Sequence, residues 1–258
     1  MEQNNNFLRA RARLDRPPPI DFATDALFLD LDGTLLDIAL RPDLVRADEL
    51  LRGLLRELEV RLDGALAIVS GRSISDIDAV LGATSRHVSG LHGQEHRFSD
   101  KTMRPRRSRQ VEAAAATIKH LRLHDLLKVA IENKGAAIVV HYRQAPEHEQ
   151  LVRRAADEIA SRTGLKALHG GMVVEFLPSD ASKGEAICLF MKTPPFAGRR
   201  PIAVGDDGAD ESAFGEARRL GGSGILVGEM RATAATHGLQ TVSAVRSWLL
   251  SSLGRTLA

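Results

Sequence analysis

Hydrophobic and polar positions along this chain alternate between two periods. Short, wholly apolar runs are bounded by turn residues, and longer segments between them carry apolar residues at helical spacing. Leu27-Phe28-Leu29 reads as a buried strand. From Asp43 to Val60, the residues Leu44, Leu50, Leu51, Leu54, Leu55 and Leu58 share one helical face. Ala65 to Ser70 is the next strand, and a helix is expected from about Ser73, with Asp76 at capping-box spacing. Pro201 to Gly205 and Gly224 to Gly228 are two further strands, and Ser243 to Leu253 is a closing helix. All-apolar strands alternating with helices predict an α/β fold with a parallel sheet covered on both faces.

The middle of the chain breaks this rhythm. A helix over Val111 to Leu127, a strand over Ala137 to Tyr142, a helix over Glu147 to Thr163 and a strand over Gly171 to Leu177 form a smaller α/β unit. It divides the larger one, which gives an expected organisation of a flexible tail (1–22), a core (23–106 and 179–258) and an inserted cap (107–178). A cap in that position would act as a lid over the core's active edge. The basic run Arg104 to Arg109 reads as a solvated loop.

Composition narrows the function classes. With 258 residues, 43% of them hydrophobic, there is material for two modest domains. A net charge of +2 with dispersed basic residues argues against nucleic-acid binding. No apolar run approaches the roughly 20 residues that a membrane-spanning helix needs. The tail, with Asn4-Asn5-Asn6, four Arg and Pro17-Pro18-Pro19, has no signal-peptide core. The sole Cys188 lies in an apolar stretch that reads as core, and no disulfide within the chain is possible. A cytoplasmic enzyme fits these features.

The candidate chemistry sits at strand ends. The first strand finishes in Asp30-Leu31-Asp32-Gly33-Thr34, which places two carboxylates where burying an unpaired charge would cost several kcal/mol, a rough scale. Ser70 ends the second strand. Lys183 falls in the first turn of a helix that Ser182 and Glu185 would cap. Gly205-Asp206-Asp207-Gly208-Ala209-Asp210-Glu211 follows a later strand. Together these residues supply a metal site, a nucleophile and neutralising groups for a phosphate. Mg2+ takes hard oxygen ligands and keeps several waters, so two carboxylates and a carbonyl suffice. The side chains of Asp30 and Asp206 and the backbone carbonyl of Asp32 are the expected ligands. Asp30 is the expected nucleophile and Asp32 the general acid and base. Ser70 and Lys183 would stabilise charge on the phosphoryl oxygens. Asp210 is placed beside the metal, and Asp207 either there or on the surface.

As a set, these four motifs resemble those of the haloacid-dehalogenase-like (HAD) phosphohydrolases. The resemblance implies a Rossmann-like core with an inserted cap. A narrower resemblance, to trehalose-6-phosphate phosphatases, rests on Val69-Ser-Gly-Arg72, Gly90-Leu-His-Gly-Gln-Glu95, His141-Tyr-Arg143, Val174-Glu175, Ser182-Lys-Gly-Glu-Ala186 and Asp210-Glu211. It implies trehalose 6-phosphate as the small-molecule substrate, with Glu95, Arg143, Glu175 and His92 as sugar contacts. Two residues depart from that pattern. Ala209 stands where the family usually has Thr, and Leu177 where it commonly has a basic residue, so a cation toward the sugar would be lost. Phosphatases of other sugar phosphates (sucrose 6-phosphate, mannosyl-3-phosphoglycerate), a phosphomannomutase-like enzyme and an inactive sugar-phosphate sensor are the competing readings.

Overall fold

The computed structural model describes residues 14–38, 45–82, 85–99, 101–103, 108–121, 128–170 and 172–255. In chain order the elements are β1 (Asp25–Leu29), α1 (Glu49–Arg61), β2 (Leu66–Val69), α2 (Ile74–Leu81), β3 (His87–Gly90), β4 (Glu95–Phe98), β5 (Lys101–Met103) and α3 (Arg109–His120). There follow β6 (Ala130–Asn133), β7 (Ile138–His141), α4 (Glu149–Thr163), β8 (Leu165–Gly170), β9 (Val173–Pro178) and α5 (Lys183–Phe190). The chain closes with β10 (Arg200–Gly205), α6 (Glu211–Arg219), β11 (Ser223–Val227), β12 (His237–Leu239) and α7 (Val242–Ser252).

Two sheets carry the architecture. The larger has the order β12-β11-β10-β1-β2-β3-β4-β5. Pairing is parallel from β12 to β3, and β4 and β5 extend it antiparallel. The smaller, β6-β7-β9-β8, is antiparallel throughout. Each has its own core. The larger cluster draws on residues from Ile20 to Val88 and from Ala186 to Leu250, whereas the smaller lies among Val111 to Phe176. Residues that alternate along β7 and β9 explain the smaller layer. Ile138, Val140, Val174 and Phe176 pack on α3 and α4, and Glu175 takes the opposite face. This is an α/β fold with a parallel Rossmann-like sheet and an inserted antiparallel cap.

Local chemistry sets several boundaries. Asp48 caps α1 by accepting from the Leu51 amide, so the helix starts at Glu49; Asp43 and Leu44, where the expected helix began, lie outside the described residues. Ser73 and Ser182 cap α2 and α5 in the same way, accepting from the amides of Asp76 and Glu185. The helix expected to reach Leu127 ends at His120, and residues 122–127 lie outside the described ones, as does most of the basic run.

The tail requires a correction. Residues 1–13 lie outside the described ones, but 14–22 are docked on the core and are not free. Ile20 is buried in the main cluster, the Asp15 carbonyl accepts from the Gly238 amide, and the Trp248 indole donates to the Pro18 carbonyl. A proline run has few backbone donors to satisfy; here it follows the residue bonded to edge strand β12 and lies against α7 at Pro18. Cys188 is half-buried, where the sequence suggested core packing. Among the described residues no helix is long and apolar enough to cross a membrane.

Candidate active site

Asp30, Ser70 and Asp206 each follow a parallel strand, and those strands (β1, β2 and β10) are neighbours in the sheet. Their side chains therefore emerge at one carboxyl edge, where ligands of open α/β sheets bind. The Asp30 amide still donates to the Val204 carbonyl, which ties the end of β1 to β10. Past that point the Leu35 and Leu36 amides both turn back to the Leu31 carbonyl and fold the chain into a tight loop. Gly33 takes φ +80° in it, and a Cβ there would sit 2.1 Å from a carboxylate oxygen of Asp206. Only glycine lets the Asp206 carboxylate come in so close.

Lys183 is the hub. At 3% exposure, its Nζ donates to Asp30 Oδ1 and to Asp210 Oδ1, each at 2.7 Å. The other oxygen of Asp210 accepts from the amides of Asp206 and Asp207, each at 3.1 Å. Asp210 approaches because residue 205 is glycine, where a Cβ would meet its carboxylate at 2.1 Å. The Asp207 carboxylate acts on this cluster by its charge and is not one of the three grouped ligand side chains. Its Oδ1 instead caps the turn, accepting from the Ala209 amide at 2.9 Å and the Asp210 amide at 3.3 Å. The buried Thr34 hydroxyl donates to Asp206 Oδ1 at 3.3 Å.

One carboxylate oxygen each from Asp30, Asp206 and Asp210 lies within 4.8 Å of the others. Burial, opposed by Lys183 and reinforced by Asp206 and Asp207, pushes the Asp30 carboxyl up to about 7. Burial, with Asp210 and Asp207 adding to it, pushes Asp206 up to about 6. Burial also works against the Lys183 charge, but Asp210, Asp30 and Asp207 outweigh it and hold that ammonium well above its ordinary value. The cluster has more negative charge than one lysine can balance. A hard divalent cation is the group that this donor set fits.

Asp32 is held differently. Arg72 grips it with two bonds, from Nε at 2.6 Å and Nη2 at 2.7 Å. Both carboxylate oxygens are therefore engaged, and an acid role requires that one be freed. Ser70 is 2% exposed, and its Oγ accepts from the Arg72 amide at 3.2 Å.

The residues expected to touch sugar divide into three places. His92, in the loop after β3, and Glu175, on β9, meet at 2.9 Å and join core to cap. Glu95 Oε2 instead accepts from the Ile74 amide at 2.8 Å, which satisfies an open donor of the first turn of α2. Arg143 is half-buried in the turn after β7, four positions along from Val139, the residue paired with Glu175. Leu177 is fully buried against Ala137 and Ala181, and its cross-strand partner is Lys166, whose Nζ donates to the Ala181 carbonyl.

Sequence reasoning missed Arg72 and Thr34 as members of the site. Both lay inside motifs already singled out, two residues from Ser70 and from Asp32 respectively, so the signal was present.

Comparison with known proteins places the chain among trehalose-phosphate phosphatases. The trehalose-phosphatase family model matches residues 28–243. A probable trehalose-phosphate phosphatase of Sinorhizobium fredii is 41% identical over 213 residues, covering 79% of this chain and 77% of its own length. The trehalose-6-phosphate phosphatase of Escherichia coli is also 41% identical, over 230 residues, with 87% and 85% covered. Among solved structures, a trehalose-6-phosphate phosphatase related protein superposes with a TM-score of 0.71 at 27% identity, covering 89% of this chain and 98% of that one.

Proposed function

This chain belongs to the trehalose-phosphatase family, and on that footing we propose that it hydrolyses trehalose 6-phosphate to trehalose and phosphate with Mg2+ as cofactor. The reaction would be the last step of a trehalose synthesis in a reducing cytoplasm. The observation that carries this reading is the buried cluster of Asp30, Asp206, Asp210 and Lys183 at the carboxyl edge of the sheet.

Asp30 and Asp206 would hold the cation through their side chains and Asp32 through its backbone carbonyl. The cation would lower the repulsion between a phosphate dianion and the attacking carboxylate. Asp30 then forms a bond to phosphorus as the bond to the sugar oxygen breaks, giving an aspartyl-phosphate. Asp32, released from Arg72 and protonated, donates its proton to the leaving alkoxide. It next takes a proton from water, whose oxygen attacks phosphorus and frees Asp30 and inorganic phosphate. Lys183 and Ser70 stabilise charge on the phosphoryl oxygens. Asp210 holds Lys183 and the Asp206 peptide in place. Residues 107–178 serve as the cap, in which Glu175 and Arg143, facing His92 and Glu95 from the core, would select the sugar.

The raised carboxyl values give a pH dependence whose sign can be worked out. Between about pH 4 and 7 the folded, metal-free protein binds protons at Asp30 and Asp206 that the unfolded chain has released. Metal-free stability therefore falls as pH rises through that window. Mg2+ must displace those protons, so its stabilising effect should be small near pH 5 and grow toward pH 8. Thermal melts with Mg2+ and with a chelator across this range would check it. A metal-induced shift that ignores pH would exclude these carboxylates as ligands.

Phosphate release with Mg2+ tests the substrate. The panel is trehalose 6-phosphate, sucrose 6-phosphate, glucose 6-phosphate, mannosyl-3-phosphoglycerate and mannose 1-phosphate. A kcat/KM for trehalose 6-phosphate at least ~100-fold above the rest, about 2.7 kcal/mol of transition-state discrimination, is expected. Comparable slow release from all five would refute the sugar assignment and leave the phosphatase chemistry standing.

A further inference from the structure

The loop that follows β11 reaches back over the acidic turn. Arg231 Nη2 donates to the Asp207 carbonyl at 2.7 Å and to the Asp206 carbonyl at 3.3 Å, while Nη1 bonds the Glu211 carboxylate. Glu211 also accepts from the Thr233 hydroxyl, at 2.9 and 3.1 Å, and from the Ala234 amide at 2.7 Å. One loop thus grips the acidic turn at both ends: at its first two carbonyls and at the first residue of α6. Within the turn, Ala209 offers no side-chain hydrogen bond. A guanidinium suits the task because its planar fork can bond a carboxylate and a carbonyl at once, which a single ammonium cannot copy.

We infer that Arg231, braced by Glu211, is a positioning residue: it fixes the Asp206–Asp207 peptide so that the Asp206 carboxylate stays aimed at the divalent-cation site beside Asp30. This deepens the metal reading proposed above and rests on it. A carboxylate on a turn moves with its peptide, and here the neighbouring Asp30 and Asp210 repel it when no cation is present. Contacts that orient a ligand without touching the metal set affinity through that orientation.

The test is direct Mn2+ binding, read from the paramagnetic resonance signal of the free ion, in the parent, R231A and R231K proteins. R219A is the control, since Arg219 pairs with Glu216 on an exposed face of α6. R231A should weaken Mn2+ binding about 10-fold or more, with R231K recovering only part and R219A matching the parent. At saturating metal, the KM for trehalose 6-phosphate should stay within about twofold, because the clamp acts on the metal ligand and not on the sugar. Mn2+ affinity within about twofold of the parent in folded R231A overturns the inference. Should R231A fail to fold, R231K is scored by the same criterion. A parent protein that binds no Mn2+ removes the metal reading itself, and the clamp with it.

Discussion

Asp30→Asn should abolish turnover, lowering kcat by about 10^4-fold or more while the fold survives. The amide keeps the shape of the side chain and an oxygen that Lys183 can still donate to. What it loses is the anionic oxygen proposed to form the bond to phosphorus. The stability change should be small, because two effects oppose each other. The substitution gives up the ion pair with Lys183, but it also removes one of three carboxylates crowded within 4.8 Å. Steady-state phosphate release and a thermal melt on the same preparation separate the two quantities. Residual activity within about tenfold of the parent would assign the attack on phosphorus to another group. The opposite loss, of fold and activity together, would make Asp30 a structural residue.

How much of this was legible in the sequence depended on which force fixed each feature. β1, β2, β10 and β11 each carry an apolar run in the middle of a parallel sheet, where burial on both faces leaves a continuous hydrophobic signal. The caps of α2 and α5 were readable because each pairs a serine, whose Oγ accepts from the amide three residues on, with an acidic residue at that position. β4, with the sequence Glu-His-Arg-Phe, and β6, with Ala-Ile-Glu-Asn, left no such trace. They form because a neighbouring strand offers a ladder, and their polar side chains face partners that only the fold brings near. Arg97 of β4, for example, pairs with Asp78 of α2.

The site divides along the same line. Asp30, Ser70, Lys183 and Asp206 were found because each ends a strand or starts a helix, positions that sequence punctuation marks. The grip of Arg72 on Asp32 spans 40 residues, and that of Arg231 on the acidic turn spans 24. A motif can place Arg72 near the site, but spacing does not say which partner either arginine takes. Glu95 adds a contact that its motif does not announce. One of its oxygens, Oε2, accepts from the Ile74 amide 21 residues away. The docked segment from Leu14 to Phe22 was unreadable for a third reason. Its anchors, Gly238 and Trp248, lie at the far end of the chain.

Lys183→Met should destabilise the metal-free protein by about 3–5 kcal/mol near pH 8, the cost of leaving buried charges without their partner. Methionine fills much of the same volume, so packing changes little and the loss is electrostatic. Asp30 and Asp210 would face each other at 6% and 2% exposure with no cation between them. Their response is to take up protons. Both values already stand above the ordinary carboxylate range with Lys183 present, and its removal raises them further. The folded variant then holds more protons than the unfolded chain from about pH 4 upward, so its stability falls with rising pH more steeply than the parent's. Urea unfolding at pH 5 and pH 8 should show most of the penalty at the higher value, and Mg2+ should restore part of it by supplying positive charge beside Asp30. Turnover should stay lost, because neither effect replaces the ammonium proposed to meet the phosphoryl oxygens. A penalty of equal size at both pH values would mean that Lys183 contributes packing and not charge, and the electrostatic account of the cluster would fail with it.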